Sequence, residues 1–175
     1  QILTDGGPGS RVLECLSKYM PFWDKEIELV VLTHPQADHY EGLIEVFRRY
    51  KVDTFLANSV DSSTSGYSVL KNEVGGSDTK IINPTSGMET RVGLIRLDIF
   101  NPTDELLMGE LVTEKTDINS GVLGAFTTKR DLNDFSIVAI LSFWDFDALL
   151  TGDIGPKISD EISQQLSVNS NQSIE

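Results

Sequence analysis

Glu28-Leu29-Val30-Val31-Leu32-Thr33 constrains this chain more than any other segment: it is short, almost wholly apolar and rich in β-branched residues. That is the pattern of a strand buried on both faces. It ends at His34, and the chain's other histidine, His39, lies within the same His34-Pro35-Gln36-Ala37-Asp38-His39 stretch. A loop at the carboxyl end of a buried strand is where α/β folds place their ligand sites. His34, Asp38 and His39 offer two imidazoles and a carboxylate, borderline donors that suit zinc, manganese or iron. Pro35 stiffens the loop, and the start of the next helix fixes Asp38 and His39. The segment alone leaves a plainer reading open, with Asp38 as a helix cap and the histidines as partly exposed loop residues.

The flanking pattern is strand–helix–strand–helix–strand, which predicts a layered α/β fold. Ile2 to Thr4 is a strand running into Asp5-Gly6-Gly7-Pro8-Gly9, a turn that glycine makes accessible. Ser10 is the expected N-cap of a helix over 11–19, with Val12, Leu13, Leu16 and Tyr19 at helical spacing. A helix is predicted over His39 to Tyr50, with Leu43, Ile44, Phe47 and Tyr50 on one side, and a strand over Val52 to Ala57. Residues 58–80 read as a weak helix or loop, and Val92 to Phe100 as one strand. Residues 101–134 lack periodicity and read as a long connection broken at Gly109, Gly121 and Gly124. Ser136 to Phe143 and Ala148 to Thr151 form a hairpin around Trp144-Asp145-Phe146-Asp147. A last helix covers Ser159 to Leu166, and 167–175 are unpatterned.

With 175 residues the chain fits a single domain over 1–175. No apolar run approaches the roughly 18 residues that cross a bilayer. Fourteen basic against 27 acidic residues give a net charge of −13. A surface of that sign repels phosphate backbones, so tight binding of DNA by this acidic chain alone is not expected. Arg48, Arg49 and Lys51 read as a solvated helix end. The lone Cys15 excludes an internal disulfide and a cysteine-rich zinc site, and its helical setting suggests a small core residue.

His34-Pro35-Gln36-Ala37-Asp38-His39 resembles the His-x-His-x-Asp-His loop of metallo-β-lactamase-fold hydrolases, with Gln36 in place of the middle histidine. Leu3-Thr4-Asp5-Gly6-Gly7 resembles the strand and turn that open that fold. Leu149-Leu150-Thr151-Gly152-Asp153 resembles the strand whose terminal aspartate bridges two metals. Together with Asn133-Asp134-Phe135-Ser136-Ile137-Val138, these segments look most like the soluble domain of ComEC-like competence (DNA-uptake) proteins. The resemblance implies an αββα sandwich. It assigns His34, Asp38, His39 and Asp153 as metal ligands, Gln36 as a poor ligand at a ligand position, and Asp153 as the bridge. It would place Asp5 behind the ligand loop, although Asp5 could equally hydrogen-bond its own turn. Asn133 and Ser136 become pocket residues.

An amide oxygen is a poorer zinc ligand than imidazole, so the first metal position should be weak. The family's last ligand, a histidine beyond one further strand, has no counterpart after His39. The chain is read as a domain excised from a longer protein, stopping at Ser173-Ile174-Glu175 where that strand would begin and lacking the last strand, loop and helix. The ligand set then suffices for one zinc or manganese ion rather than two. The reaction implied is metal-assisted hydrolysis of a phosphodiester such as DNA, with Asp38 and Asp153 as catalytic carboxylates. A competence-type parent would place the domain outside the cytoplasm. The alternatives are a hydrolase of another ester, thioester or lactone on the same fold, and a non-catalytic domain with a degraded site.

Overall fold

The computed structural model describes residues 1–111 and 121–172. β1 (Ile2–Thr4), α1 (Arg11–Tyr19), β2 (Glu26–Leu32), α2 (Ala37–Arg49), β3 (Lys51–Ala57), α3 (Ser65–Gly75) and β4 (Lys80–Ile82) alternate through the first half. β5 (Glu89–Val92), β6 (Ile95–Asn101), α4 (Asp104–Leu111), a 3₁₀ turn (Leu132–Phe135), β7 (Val138–Phe143), β8 (Phe146–Leu150) and α5 (Pro156–Gln172) follow. Among the described residues the chain is a mixed α/β fold with two four-stranded sheets and five α-helices. The first sheet, β1-β2-β3-β4, is parallel throughout, and its helices supply the crossovers that parallel neighbours need. The second, β5-β6-β7-β8, is an antiparallel meander.

Alternation in β2 and β3 sets the layers. Val30, Leu32, Phe55 and Ala57 join Val12, Leu16, Leu43, Val46, Tyr67 and Leu70 of α1, α2 and α3 in one core. Leu29, Val31 and Leu56 point the other way and meet Leu97, Ile99, Ile137 and Ala139 of the second sheet. On that sheet's remaining face, Val138 and Phe100 receive Ile158, Ile162 and Leu166 at helical spacing along α5. Each large aliphatic side chain so buried contributes about 1.5–3 kcal/mol. A two-sided strand such as β2 is therefore held by both layers.

The elements differ from the sequence expectations where local signals are thin. The run Val92 to Phe100 divides into β5 and β6, which turn at Gly93 (φ 58°) and Leu94. Residues 58–80, read as a weak helix or loop, contain α3, and a short strand, Lys80–Ile82, begins at their end and pairs with β3. Gly109 lies inside α4 rather than at a break, whereas Gly121 and Gly124 (both φ 64°) lie outside helix and strand. Thr103 precedes α4 and its hydroxyl accepts from the Leu106 N–H, and Leu107 is the buried anchor of the helix. The rest of the connection, 112–120, lies outside the described residues, as does the terminal Ser173-Ile174-Glu175. The hairpin turn is tighter than expected, because Phe143 pairs directly with Phe146 and leaves only Trp144 and Asp145 between. The last helix continues to Gln172 through a stretch that shows no periodic signal.

Three single-residue expectations also change. Cys15 is exposed, because the buried stripe of α1 is Val12 and Leu16 and Cys15 falls beside it. Tyr19, the last residue of α1, is exposed as well. Ser10 occupies the N-cap of α1 without a side-chain capping bond. Arg48 and Arg49 pair with Glu45 and Glu73, and Lys51 with Glu26 and Asp53, consistent with a solvated and neutralised helix end. Among the described residues no helix is long and apolar enough to cross a membrane.

Candidate metal centre

The carboxyl ends of β1, β2 and β8 and the amino end of β7 meet at one edge of the molecule. Ile137 donates its backbone N–H to the Thr33 carbonyl at 2.8 Å, joining the two sheets there. Onto this edge β1 delivers Asp5, β2 delivers Thr33 and His34, α2 carries Asp38 and His39, and the turn after β8 carries Asp153. One nitrogen from each of His34 and His39 and one Asp153 oxygen all lie within 4.8 Å of one another. The two imidazole rings stand 4.1 Å apart between centroids.

The hydrogen bonds behind the rings determine which nitrogens face the centre. Asp5 accepts from the Thr33 N–H and the Thr33 hydroxyl, each at 2.8 Å, and its Oδ2 lies 2.9 Å from His39 Nδ1. A carboxylate can only accept, so His39 Nδ1 carries a proton, and Nε2 is the nitrogen that the neutral ring offers to the centre. His39 Nε2 lies 3.4 Å from Asp153 Oδ2. The Thr33 hydroxyl hydrogen is committed to Asp5, so Thr33 Oγ1, 3.1 Å from His34 Nδ1, accepts from that ring. Ser136 Oγ lies 3.3 Å from the same nitrogen. His34 Nε2 is thereby left as a bare lone pair, fully buried and without a hydrogen-bond partner. A buried polar atom without a partner costs about 1–3 kcal/mol. Two imidazoles backed at Nδ1, one with an orphaned Nε2 and the other with its Nε2 beside the Asp153 carboxylate, suit the donor chemistry of a divalent metal site.

The charges divide in the same way. Burial, reinforced by the neighbouring His39, pushes the His34 pKa below its usual 6.5 and keeps that ring neutral. Burial also works against charge on His39. It is outweighed by the Asp5 hydrogen bond and by the carboxylates of Asp5, Asp153 and Asp38, so the His39 pKa rises.

Asp38 stands apart from the three converging groups. Its side chain is 64% exposed on the first turn of α2, with Oδ2 3.9 Å from His39 Nε2. Gln36 donates its Nε2 to Asn133 Oδ1 at 2.8 Å. Gly152 (φ 53°) lets the Asp153 turn close, since a Cβ there would lie 2.9 Å from Ser136 Cβ and 3.2 Å from Thr33 Cβ. Sequence reasoning missed two buried amides that brace this edge. Asn58 Nδ2 donates to the Thr33 and Phe135 carbonyls, and Asn101 Nδ2 to those of Asp134 and Ser136. Their partners are backbone atoms far along the chain, so no local pattern marks them.

Asp5→Asn is expected to lower metal affinity by about 10–100-fold, the usual cost of losing the partner that orients a ligating histidine. An amide nitrogen facing His39 Nδ1 would move the ring proton to Nε2. Without metal, the same variant should titrate His39 at lower pH than the wild type, because the Asp5 charge that raises its pKa is gone. Metal titration and histidine NMR read the two effects.

No protein-family model matches the chain, and neither does any curated protein sequence. Among solved structures it is similar to CmlA, a diiron β-hydroxylase from Streptomyces venezuelae, with 13% identity and a TM-score of 0.45. The match covers 80% of this chain and 23% of that one, and the chain thus spans under a quarter of its neighbour's length. A likeness of that extent assigns neither chemistry nor family.

Proposed function

We propose that this protein is a metal-dependent hydrolase on an αββα sandwich of the metallo-β-lactamase type, acting on a phosphodiester such as DNA. The observation that carries the reading is the convergence of His34, His39 and Asp153 around a buried, unpartnered imidazole nitrogen. Helices outside the parallel sheet and α5 outside the antiparallel one support the sandwich. The choice of a phosphodiester rests on the resemblance of the motifs to competence proteins. A net charge of −13 is unfavourable for a phosphate substrate, so a cation at this edge would supply the local positive charge.

His34 Nε2, His39 Nε2 and the Asp153 carboxylate would hold one divalent ion, zinc or manganese. Such an ion would lower the pKa of a bound water towards about 7 and polarise a phosphoryl oxygen. Asp5 and Thr33 keep both imidazoles in the ligating tautomer. Asp38, exposed at the rim and 3.9 Å from His39 Nε2, would orient the attacking water and take its proton.

Hydrolysis of bis(p-nitrophenyl) phosphate and single-stranded DNA, with added manganese or zinc, tests the reading. Asp38→Ala should lower turnover by about 10²–10⁴-fold with metal uptake retained, and Cys15→Ala should change nothing. A wild-type chain that neither takes up metal nor turns over either substrate contradicts it.

A further inference from the structure

Asn58 follows the last residue of β3 and is buried. Its Nδ2 donates to the Thr33 carbonyl at 3.2 Å and to the Phe135 carbonyl at 2.9 Å, which uses both amide hydrogens. Its Oδ1 accepts the Val60 N–H at 3.2 Å, so the orientation of the amide is set. Thr33 immediately precedes His34, and Phe135 immediately precedes Ser136. Thr33 and Ser136 supply the two oxygens behind His34, with Thr33 Oγ1 at 3.1 Å and Ser136 Oγ at 3.3 Å from Nδ1. One amide thus ties together the two segments between which the His34 ring is seated. The Ile137 N–H reaches the same Thr33 carbonyl at 2.8 Å, so ties to Thr33 bracket Ser136 on both sides. Asn101 does not duplicate the tie, because its acceptors, the Asp134 and Ser136 carbonyls, both belong to the second segment.

We infer that Asn58 is a positioning residue of the metal centre: by clamping the Thr33 and Phe135 carbonyls it holds two hydroxyl oxygens on His34 Nδ1 and so keeps Nε2 as the ligating nitrogen. The inference rests on the metal-site reading above and extends it to a side chain whose own bonds go to main chain. Its basis is the tautomer of the ring. A neutral imidazole carries one proton, and the partners of one nitrogen decide whether the other is left as a ligand. Oxygens held at Nδ1 keep the proton there. When one of them moves away, the proton can pass to Nε2 and block the lone pair that a metal needs. Thr33 Oγ1 is anchored separately by its bond to Asp5, so Ser136 Oγ is the contact that Asn58 governs most directly. Without Asn58, the Ile137 bond becomes a single point about which Ser136 can swing away from the ring.

Titration of the whole chain with manganese and zinc reads the affinity, and nitrogen NMR of the His34 ring in metal-free protein reads the tautomer. Asn58→Ala should weaken metal binding by about tenfold or more and shift the His34 proton partly from Nδ1 to Nε2. Asn58→Asp keeps the shape but offers the two carbonyls no hydrogens, so it should lose at least as much. Asn58→Ser can serve one carbonyl at most and should fall between wild type and Asn58→Ala, which keeps the test open if Asn58→Ala does not fold. Leu70→Ala opens a cavity in the core under the helices and controls for lost stability, leaving affinity and tautomer unchanged. Asn58→Ala should also cost less affinity in a Ser136→Ala background than in the wild type. Wild-type affinity in the Asn58 variants, a loss matched by Leu70→Ala, or an unmoved His34 proton overturns the inference. So does an Asn58→Ala cost that is the same with and without the Ser136 hydroxyl. If the wild type binds neither ion, the proposed function falls and the inference with it. If the wild type binds and the Asn58 variants bind equally well, the inference alone fails.

Discussion

Gly42→Ala is expected to destabilise the fold by about 3 kcal/mol or more, at or beyond the upper end of ordinary overpacking. A Cβ at Gly42 would lie 2.1 Å from the Gly6 carbonyl oxygen and 2.7 Å from its carbon, with Val12 Cγ1 at 2.9 Å. The obstacle is backbone, which cannot rotate away as a side chain would. That backbone is itself tied down, because Gly6 donates to the His39 carbonyl at 2.7 Å and Gly42 donates to the Gly7 carbonyl at 3.0 Å. The β1 turn and α2 therefore meet main chain to main chain, the contact that brings Asp5 within reach of His39. Domains are stable by only about 5–15 kcal/mol, so a loss of this size should move the urea midpoint far down. Surviving variant protein should also bind metal poorly, since separating β1 from α2 draws Asp5 off the ring. A destabilisation below about 1 kcal/mol would show that the two segments do not pack this closely.

His34→Ala is expected to abolish metal-dependent behaviour. Losing a partner behind a ligand costs about 10–100-fold in affinity, so losing the ligand itself should exceed that range. Binding to the native state alone raises stability by about 2.7 kcal/mol at a hundred times Kd. Wild-type protein should thus melt at higher temperature on addition of manganese or zinc, and His34→Ala should show no such rise. Each protein serves as its own metal-free reference, which cancels the cost of the cavity left by the missing imidazole. An equal rise in both would place metal binding elsewhere.

The strength of the periodic signal governs how much of this fold is legible in the sequence. β2 and α2 are evident because burial on both faces of one, and on one face of the other, writes a pattern over seven and thirteen residues. β4 has three residues, too few to alternate, and it exists only because β3 offers an edge. β5 and β6 read as one strand because their apolar residues continue across the turn, whose only sign is Gly93. Cys15 shows the limit of helical spacing as a guide, since one position around the helix separates the core from solvent.

At the site, motif positions can be read because they stand at the ends of elements. The structure brings His34, His39 and Asp153 together and leaves Asp38 at the rim. Tautomers, the bare Nε2 of His34 and the Gln36–Asn133 bond depend on partners from different layers. The bracing asparagines Asn58 and Asn101 do so entirely.

Anomalous diffraction from crystals grown with manganese would locate an ion at this edge. One anomalous peak per chain is expected, bonded to His34 Nε2, His39 Nε2 and the Asp153 carboxylate. No peak between these three side chains at saturating manganese, or a peak bonded to neither imidazole, would contradict the proposed metal centre.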